Sequence, residues 1–215
     1  MTSGEGGMVT THCDVTADKI RKVQSLGYAG VGAKKSKISK SDIQNPLYSR
    51  HVSMGWNYRM SELCSAVALA QLENLEVLVG KRVEAAKAFQ SVLESFEFLK
   101  VQYTPRHCVN SYWALAVKIS APEISFNDFR SCFIRNGGDG IYSAWKLTYQ
   151  EPMFQNMSLL GREKFIDPVV KKYNYAAGSC PVAEELQRSL LQFKTNYWDK
   201  NRLEEQAEAL QKTCV

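Results

Sequence analysis

The chain is 215 residues long, 45% hydrophobic and 23% charged, which excludes a disordered polypeptide and supplies enough chain for one generous core or two modest ones. No apolar run approaches the length of a membrane helix, and the start, MTSGEGGMVTTHCD, lacks the basic-then-apolar pattern of a secretion signal. The expectation is a cytoplasmic protein with no membrane partner, and the formal net charge of +5 is too mild to demand a polyanionic one.

In chain order, GGMVTTH predicts a short strand leaving a glycine turn. DVTADKIRKVQSLGY predicts a helix with Ile20, Val23 and Leu26 on one side and Gly27 near its end. Residues 29 to 54, rich in Lys, Ser, Gly and Asn, read as a long functional loop. From Ser61, a plausible cap, Leu63, Val67, Ala70, Leu72, Leu75 and Leu78 recur at helical steps. Gly80 is expected to mark a kink or a domain handover before a second helix, KRVEAAKAFQSVLESF. This places one domain at residues 1–80 and another at 81–215.

Beyond that boundary FEFLKVQY, NSYWALAVKIS and GIYSAW have strand composition, while FNDFRSCFIRN reads as a helix. An aromatic loop, WKLTYQEPMF, precedes two expected helices, from Pro181 through Lys194 and from Lys200 through Thr213. Strands interspersed with helices argue for α/β or α+β packing, and no internal repeat is visible.

Candidate chemistry is sparse. The six cysteines, Cys13, Cys64, Cys108, Cys132, Cys180 and Cys214, form no CxxC pair, so neither a zinc site nor a disulfide framework is expected. The neighbouring His12-Cys13 and His107-Cys108 are poor metal pairs, because adjacent residues rarely both reach one ion. Lys34, Lys35, Lys37 and Lys40 crowd AKKSKISKS, a run that suits a solvated loop or attraction to phosphates. It lacks the interleaved aromatics of a single-strand-binding surface, and no nucleic-acid partner is expected. The GEGG turn at Gly4 to Gly7 has neither the Lys nor the Ser/Thr of a P-loop.

Asn57-Tyr58-Arg59 is more informative. An amide, a phenol and a guanidinium at the mouth of a helix can bind an anion through neutral and charge-assisted hydrogen bonds together. Capping would explain Asn57 or Ser61. It does not call for Arg59, since a cation at a helix N-terminus is disfavoured unless it faces an anion.

GWNYRMSELCSAVALAQLENLE is similar to the helix-entrance motif of the DegT/DnrJ/StrS family of pyridoxal-phosphate-dependent sugar aminotransferases, G-x-N-x-R-M-s-e followed by A-x-x-x-x-A-Q-L. TSGEGGMVTT resembles the stretch that follows that family's cofactor lysine, and NSYWALAVKI its S-Y-H strand. The resemblance implies an α/β fold, the end of an aspartate-aminotransferase-like large domain plus a small α+β C-terminal domain. It further implies pyridoxal 5'-phosphate as cofactor, a homodimer with shared active sites, and transfer of an amino group from glutamate to a nucleotide-linked keto-sugar.

By carry-over of the motif, Asn57 would reach the cofactor phosphate of the neighbouring subunit, and Arg59, beside Tyr58, the anionic part of the substrate. Trp145, Lys146 and Tyr149 of the aromatic loop are candidate sugar or phosphate contacts and equally suit an aromatic core edge. The family's Schiff-base lysine belongs just ahead of the GEGG stretch, which would put it upstream of Met1, so no residue of the chain is assigned a catalytic role. Lys34, Lys35 and Lys37 would stay solvated and protonated, unlike a reactive lysine. The expectation is an incomplete chain, inactive alone. The alternative is a dehydratase or non-catalytic relative that binds nucleotide-sugar or a partner subunit.

Overall fold

The computed structural model describes residues 1–32, 34–35, 37–155, 175 and 178–214. The chain divides into two compact units, Met1–Leu75 and Glu76–Val215.

The first unit holds α1 (Asp14–Gln24), α2 (Lys40–Gln44) and α3 (Glu62–Glu73). Helix α1 ends where Leu26 and Gly27 both turn left-handed, with φ of 60° and 71°, and the Gly27 N–H closes the last turn onto the Lys22 carbonyl at 2.8 Å. In α2 and α3 the start is set by a serine. Ser39 accepts from the Asp42 N–H and Ser61 from the Cys64 N–H, each satisfying a backbone donor that the helix itself leaves open.

The strand expected at GGMVTTH is absent: residues 6–12 have no regular structure, and Met8 and Val9 are exposed. A strand needs a neighbour to accept its ladder. Among the described residues of this unit only isolated bridges form, Ser25 to Asn57, Tyr28 to His51 and Gly32 to Lys35, and none reaches that segment. Two of them, with the Ala29 N–H bonded to the Arg50 carbonyl, hold together the ends of residues 29–54, which are not loop throughout because the Ser39 cap sets α2 within them. Helix α3 buries no residue; Leu63, Leu69 and Leu72 are all exposed.

In the second unit α4 (Leu75–Leu93) is followed by β1 (Leu99–Val101), β2 (Ala114–Ile119), α5 (Phe126–Arg135) and β3 (Ile141–Ser143). A short 3-10 turn at Thr148–Gln150 and α6 (Pro152–Gln155) come next, and α7 (Pro181–Ser189), β4 (Leu190–Lys194) and α8 (Lys200–Cys214) complete it. Gly80 lies inside α4, which runs on through it.

The four strands form one antiparallel sheet in the order β1-β2-β4-β3. Helix α7 stops at Ser189, short of the expected Lys194, because LLQFK carries the two-residue alternation of a strand. Leu191 and Phe193 point into the core while their neighbours are half-buried. The segment thereby fills the gap between β2 and β3 and satisfies both of their ladders. On the same sheet Leu115, Val117 and Ile119 of β2 are buried in alternation. They pack with Phe89 and Leu93 of α4, Phe129 and Phe133 of α5, and Leu203 and Leu210 of α8. The Phe193 ring sits at the centre, 5.3 Å from that of Phe89 and 5.9 Å, edge-on, from that of Phe133.

Polar side chains clamp the edge of this core. Asp139, in the GGDG turn before β3, takes Lys194 and Arg202 at 2.9 Å each and the Tyr197 hydroxyl at 2.7 Å. Its N–H donates to the buried Gln206 side chain at 2.7 Å. Burial opposes the Asp139 charge, but hydrogen bonds from Lys194, Tyr197 and Arg202 outweigh it and hold the carboxyl below its ordinary value. Stability drawn from such a depressed group is present above the unfolded pKa of about 3.9 and is lost as pH falls through the folded value. Asp139→Asn is therefore expected to lower Tm at pH 7 by about 2–4 °C, equivalent to roughly 1 kcal/mol in a chain of this size. Between pH 5 and pH 3, a window taken from that reference pKa of about 3.9, its Tm should fall less steeply than that of the parent chain. Parallel slopes in thermal melts across this range would refute the clamp.

Candidate active site

The residues expected to carry chemistry fall into two groups on different units. In the first unit the backbone ahead of α3 is pinned against the end of α1. The Trp56 N–H donates to the Val23 carbonyl at 2.7 Å, the Tyr58 N–H to Gln24 at 2.9 Å, and the Leu26 N–H to Trp56 at 3.0 Å. Two glycines permit this approach. A Cβ on Gly55 would lie 2.4 Å from the Gly27 nitrogen, and one on Gly27 would lie 1.8 Å from the Ser53 carbonyl oxygen. The result is a short extended run delivering Trp56 to Met60 to the capped start of α3.

Tyr58 and Arg59 line a cleft of roughly 740 Å3 with Lys19, Ile20, Gly6 and Gly7. The Trp56 and Tyr58 rings stack, 5.8 Å apart and 4° from parallel, and both are substantially exposed. Asn57 alternates away from them, in the bridge to Ser25, and is exposed without lining the cleft. Among the described residues neither the Arg59 guanidinium nor the Asn57 amide has a hydrogen-bond or ion-pair partner. Arg59, Lys19 and the N-terminus of α3 give this end of the cleft a positive character, with Glu5 as the one acid in its lining. No sequence motif marks Lys19. Its signal is its position on the α1 turn that also carries Ile20 and Val23, which share the lining.

The second group lies between β3 and α7. Trp145 is 88% exposed, too open for a core edge, and its carbonyl accepts from Gln187 Nε2 at 2.6 Å. Lys146 is exposed, with no ion pair among the described residues. Tyr149 instead donates its hydroxyl to Glu184 of α7, whose carboxylate also accepts the Gly178 N–H at 2.6 Å. Burial, together with the hydrogen bond and negative charge of Glu184, raises the Tyr149 phenol above its ordinary value. Tyr149 is thus a tie between the 3-10 turn and α7, with Glu184, which no sequence pattern marks, as its partner. Within the aromatic loop WKLTYQEPMF, Thr148–Gln150 form the 3-10 turn and Pro152 opens α6. All six cysteines are free, and no cluster able to hold a metal occurs among the described residues.

Comparison with known proteins gives a consistent result. The DegT/DnrJ/EryC1/StrS aminotransferase family matches residues 1–195. The chain is 24% identical to the GDP-perosamine synthase of Vibrio cholerae over 181 residues, 84% of this chain and 44% of that protein. Among solved structures, the aminotransferase from Psychrobacter cryohalolentis superposes with a TM-score of 0.75 at 21% identity, covering 98% of this chain and 52% of that one. Helicobacter pylori PseC, an aminotransferase involved in the biosynthesis of pseudoaminic acid, gives 0.63 at 16%, covering 95% and 47%. At these identities the structures establish the fold, an α/β arrangement of the aspartate-aminotransferase kind. The chain spans about half the length of the relatives it matches. It belongs to the DegT/DnrJ/EryC1/StrS aminotransferase family.

Proposed function

We propose that these residues form part of a pyridoxal-phosphate-dependent aminotransferase acting on a nucleotide-linked keto-sugar, with glutamate as the amino donor. The observation that carries the reading is Arg59. It is a cation at the start of a helix, where its charge is disfavoured, and it lines a cleft with no ion-pair partner within 4.0 Å among the described residues. An anionic ligand resolves that conflict, and aminotransferase family membership supports a phosphate-bearing one.

The residues present suit the phosphate end of the cofactor. The unpartnered Asn57 amide offers two donors to a phosphate oxygen, and in a homodimer it would serve the cofactor of the other subunit. When bound, pyridoxal phosphate supplies the electron sink and carries the amino group. The chain's own part is binding and orientation. Arg59 forks onto the anionic group of the substrate, Lys19 adds a second positive charge, and Tyr58, braced by Trp56, offers a flat rigid wall. Trp145 and Lys146 contact the acceptor sugar or its phosphates, with Tyr149 held by Glu184 as the support beneath them. In this proposal residues 1–80 close a large domain, residues 81–215 form the small one, and the enzyme is cytoplasmic.

No lysine among these 215 residues is assigned to hold the cofactor, and in this proposal the chain taken alone binds without transaminating. Treatment with pyridoxal phosphate and then borohydride is expected to leave no site-specific pyridoxyl lysine in a peptide map, and a single stoichiometric adduct would overturn that assignment. Binding is tested with GDP-mannose as the probe in calorimetry. Arg59→Ala is expected to weaken it tenfold or more, from loss of a charge-assisted hydrogen bond worth about 1.5–3 kcal/mol, while Arg21→Ala leaves it unchanged. Equal affinities in all three chains would refute the role of Arg59.

A further inference from the structure

The packing of α5 against α8 brings two thiols together, and nothing in the proposed transamination uses them. Cys132 lies on α5 and Cys214 in the last turn of α8. Both line one cleft of roughly 400 Å3, alongside Phe98, Phe129 and Thr213. Asn136 spans the pair, its Nδ2 donating to the Cys132 sulfur at 3.7 Å and to the Thr213 hydroxyl at 3.1 Å. One amide therefore touches the first sulfur and the residue adjoining the second. Burial lifts the Cys214 thiol to about 12, and negative charge at the Cys132 sulfur adds to that rise.

Two cysteines at the rim of an apolar core also serve as small hydrophobes, and Cys214 does pack against the core. That role does not require both to open onto the same cleft, and both are only half-buried. A disulfide requires Cα atoms roughly 4.4–6.8 Å apart. The last turn of a helix, which frays most readily, can complete such an approach.

We propose that Cys132 and Cys214 form a reversible disulfide when the protein meets a hydroperoxide, fastening the end of α8 to α5. The Asn136 Nδ2 contact at 3.7 Å holds the Cys132 sulfur in place, while burial disfavours ionisation of Cys214, which puts the first attack on Cys132. Its thiolate attacks the terminal peroxide oxygen, the O–O bond breaks, and a sulfenic acid forms with release of water from hydrogen peroxide. The Cys214 sulfur then attacks the Cys132 sulfur, the S–O bond breaks, and its hydroxyl departs as a second water with the Cys214 proton. Two thiols are oxidised by two electrons, one peroxide is reduced to two waters, and a dithiol reagent reverses the bond.

The test uses the full chain treated with hydrogen peroxide, alkylated, and digested without reduction. The expected product is a cross-linked peptide joining Cys132 to Cys214, loss of two of the six free thiols, and full recovery with dithiothreitol. The oxidised chain should melt roughly 5–10 °C higher, since the bond closes a long loop. Cys214→Ser should leave Cys132 as a sulfenic acid trappable by dimedone, and Cys132→Ala should leave Cys214 unmodified. The same treatment in urea should abolish the preference for this pair. Recovery of Cys132 and Cys214 in separate peptides from the native chain, as thiols or as sulfinic acids, would overturn the proposal. So would cross-links distributed equally among other cysteines.

Discussion

The first unit depends on how closely two backbone segments approach at Gly27 and Gly55. A Cβ on Gly55 would fall 2.4 Å from the Gly27 nitrogen and 2.8 Å from the Val23 carbonyl, inside any tolerable contact. With both side chains absent, the Val52 N–H can reach the Gly27 carbonyl at 2.8 Å, and His51 Nδ1 lies 2.8 Å from that of Leu26. The long 29–54 loop consequently leaves the end of α1 and returns to it. That return fixes where Tyr58 and Arg59 stand relative to Lys19, so the chemistry of the cleft rests on two missing methyl groups.

The second unit is built on a different device. Strand β4 lies between β2 and β3 and bonds to both, so its five residues hold the sheet together. Its alternating Leu191 and Phe193 anchor the helices to one face, and Lys194 extends from the same strand to the Asp139 clamp. Packing, ladder and ion pairs thus converge on one short segment. By contrast, α3 and the extended residues 6–12 carry apolar side chains that find no cover within the described residues.

What sequence alone conveyed follows the range of the forces involved. The Ser61 cap, the helix of FNDFRSCFIRN and the strand of NSYWALAVKIS are set by residues a few positions apart, and each forms where the pattern places it. The segment LLQFK misled because its apolar residues also suit the end of a helix. Only the vacancy between β2 and β3, built from sequence far away, decides for a strand. GGMVTTH fails for the opposite reason, having strand composition and no partner to pair with. Arg59 stands out through a local electrostatic conflict, whereas Lys19 shares its cleft in the first unit, and Glu184 meets Tyr149 in the second, only through tertiary contacts.

Aminotransferase family membership, the uncompensated Arg59 and the stacked Trp56–Tyr58 wall support one account, in which the entrance of α3 is an anion site preorganised by the Gly27–Gly55 approach. Gly55→Ala tests it most directly, because it leaves every proposed ligand-binding side chain in place and forces only the backbone apart. The account predicts that calorimetric affinity for GDP-mannose falls tenfold or more, equivalent to about 1.4 kcal/mol, with helical circular dichroism unchanged. Gly80→Ala, whose added Cβ meets nothing within 4 Å, should bind as the parent does. A Gly55→Ala chain that binds GDP-mannose as tightly as the parent would contradict it.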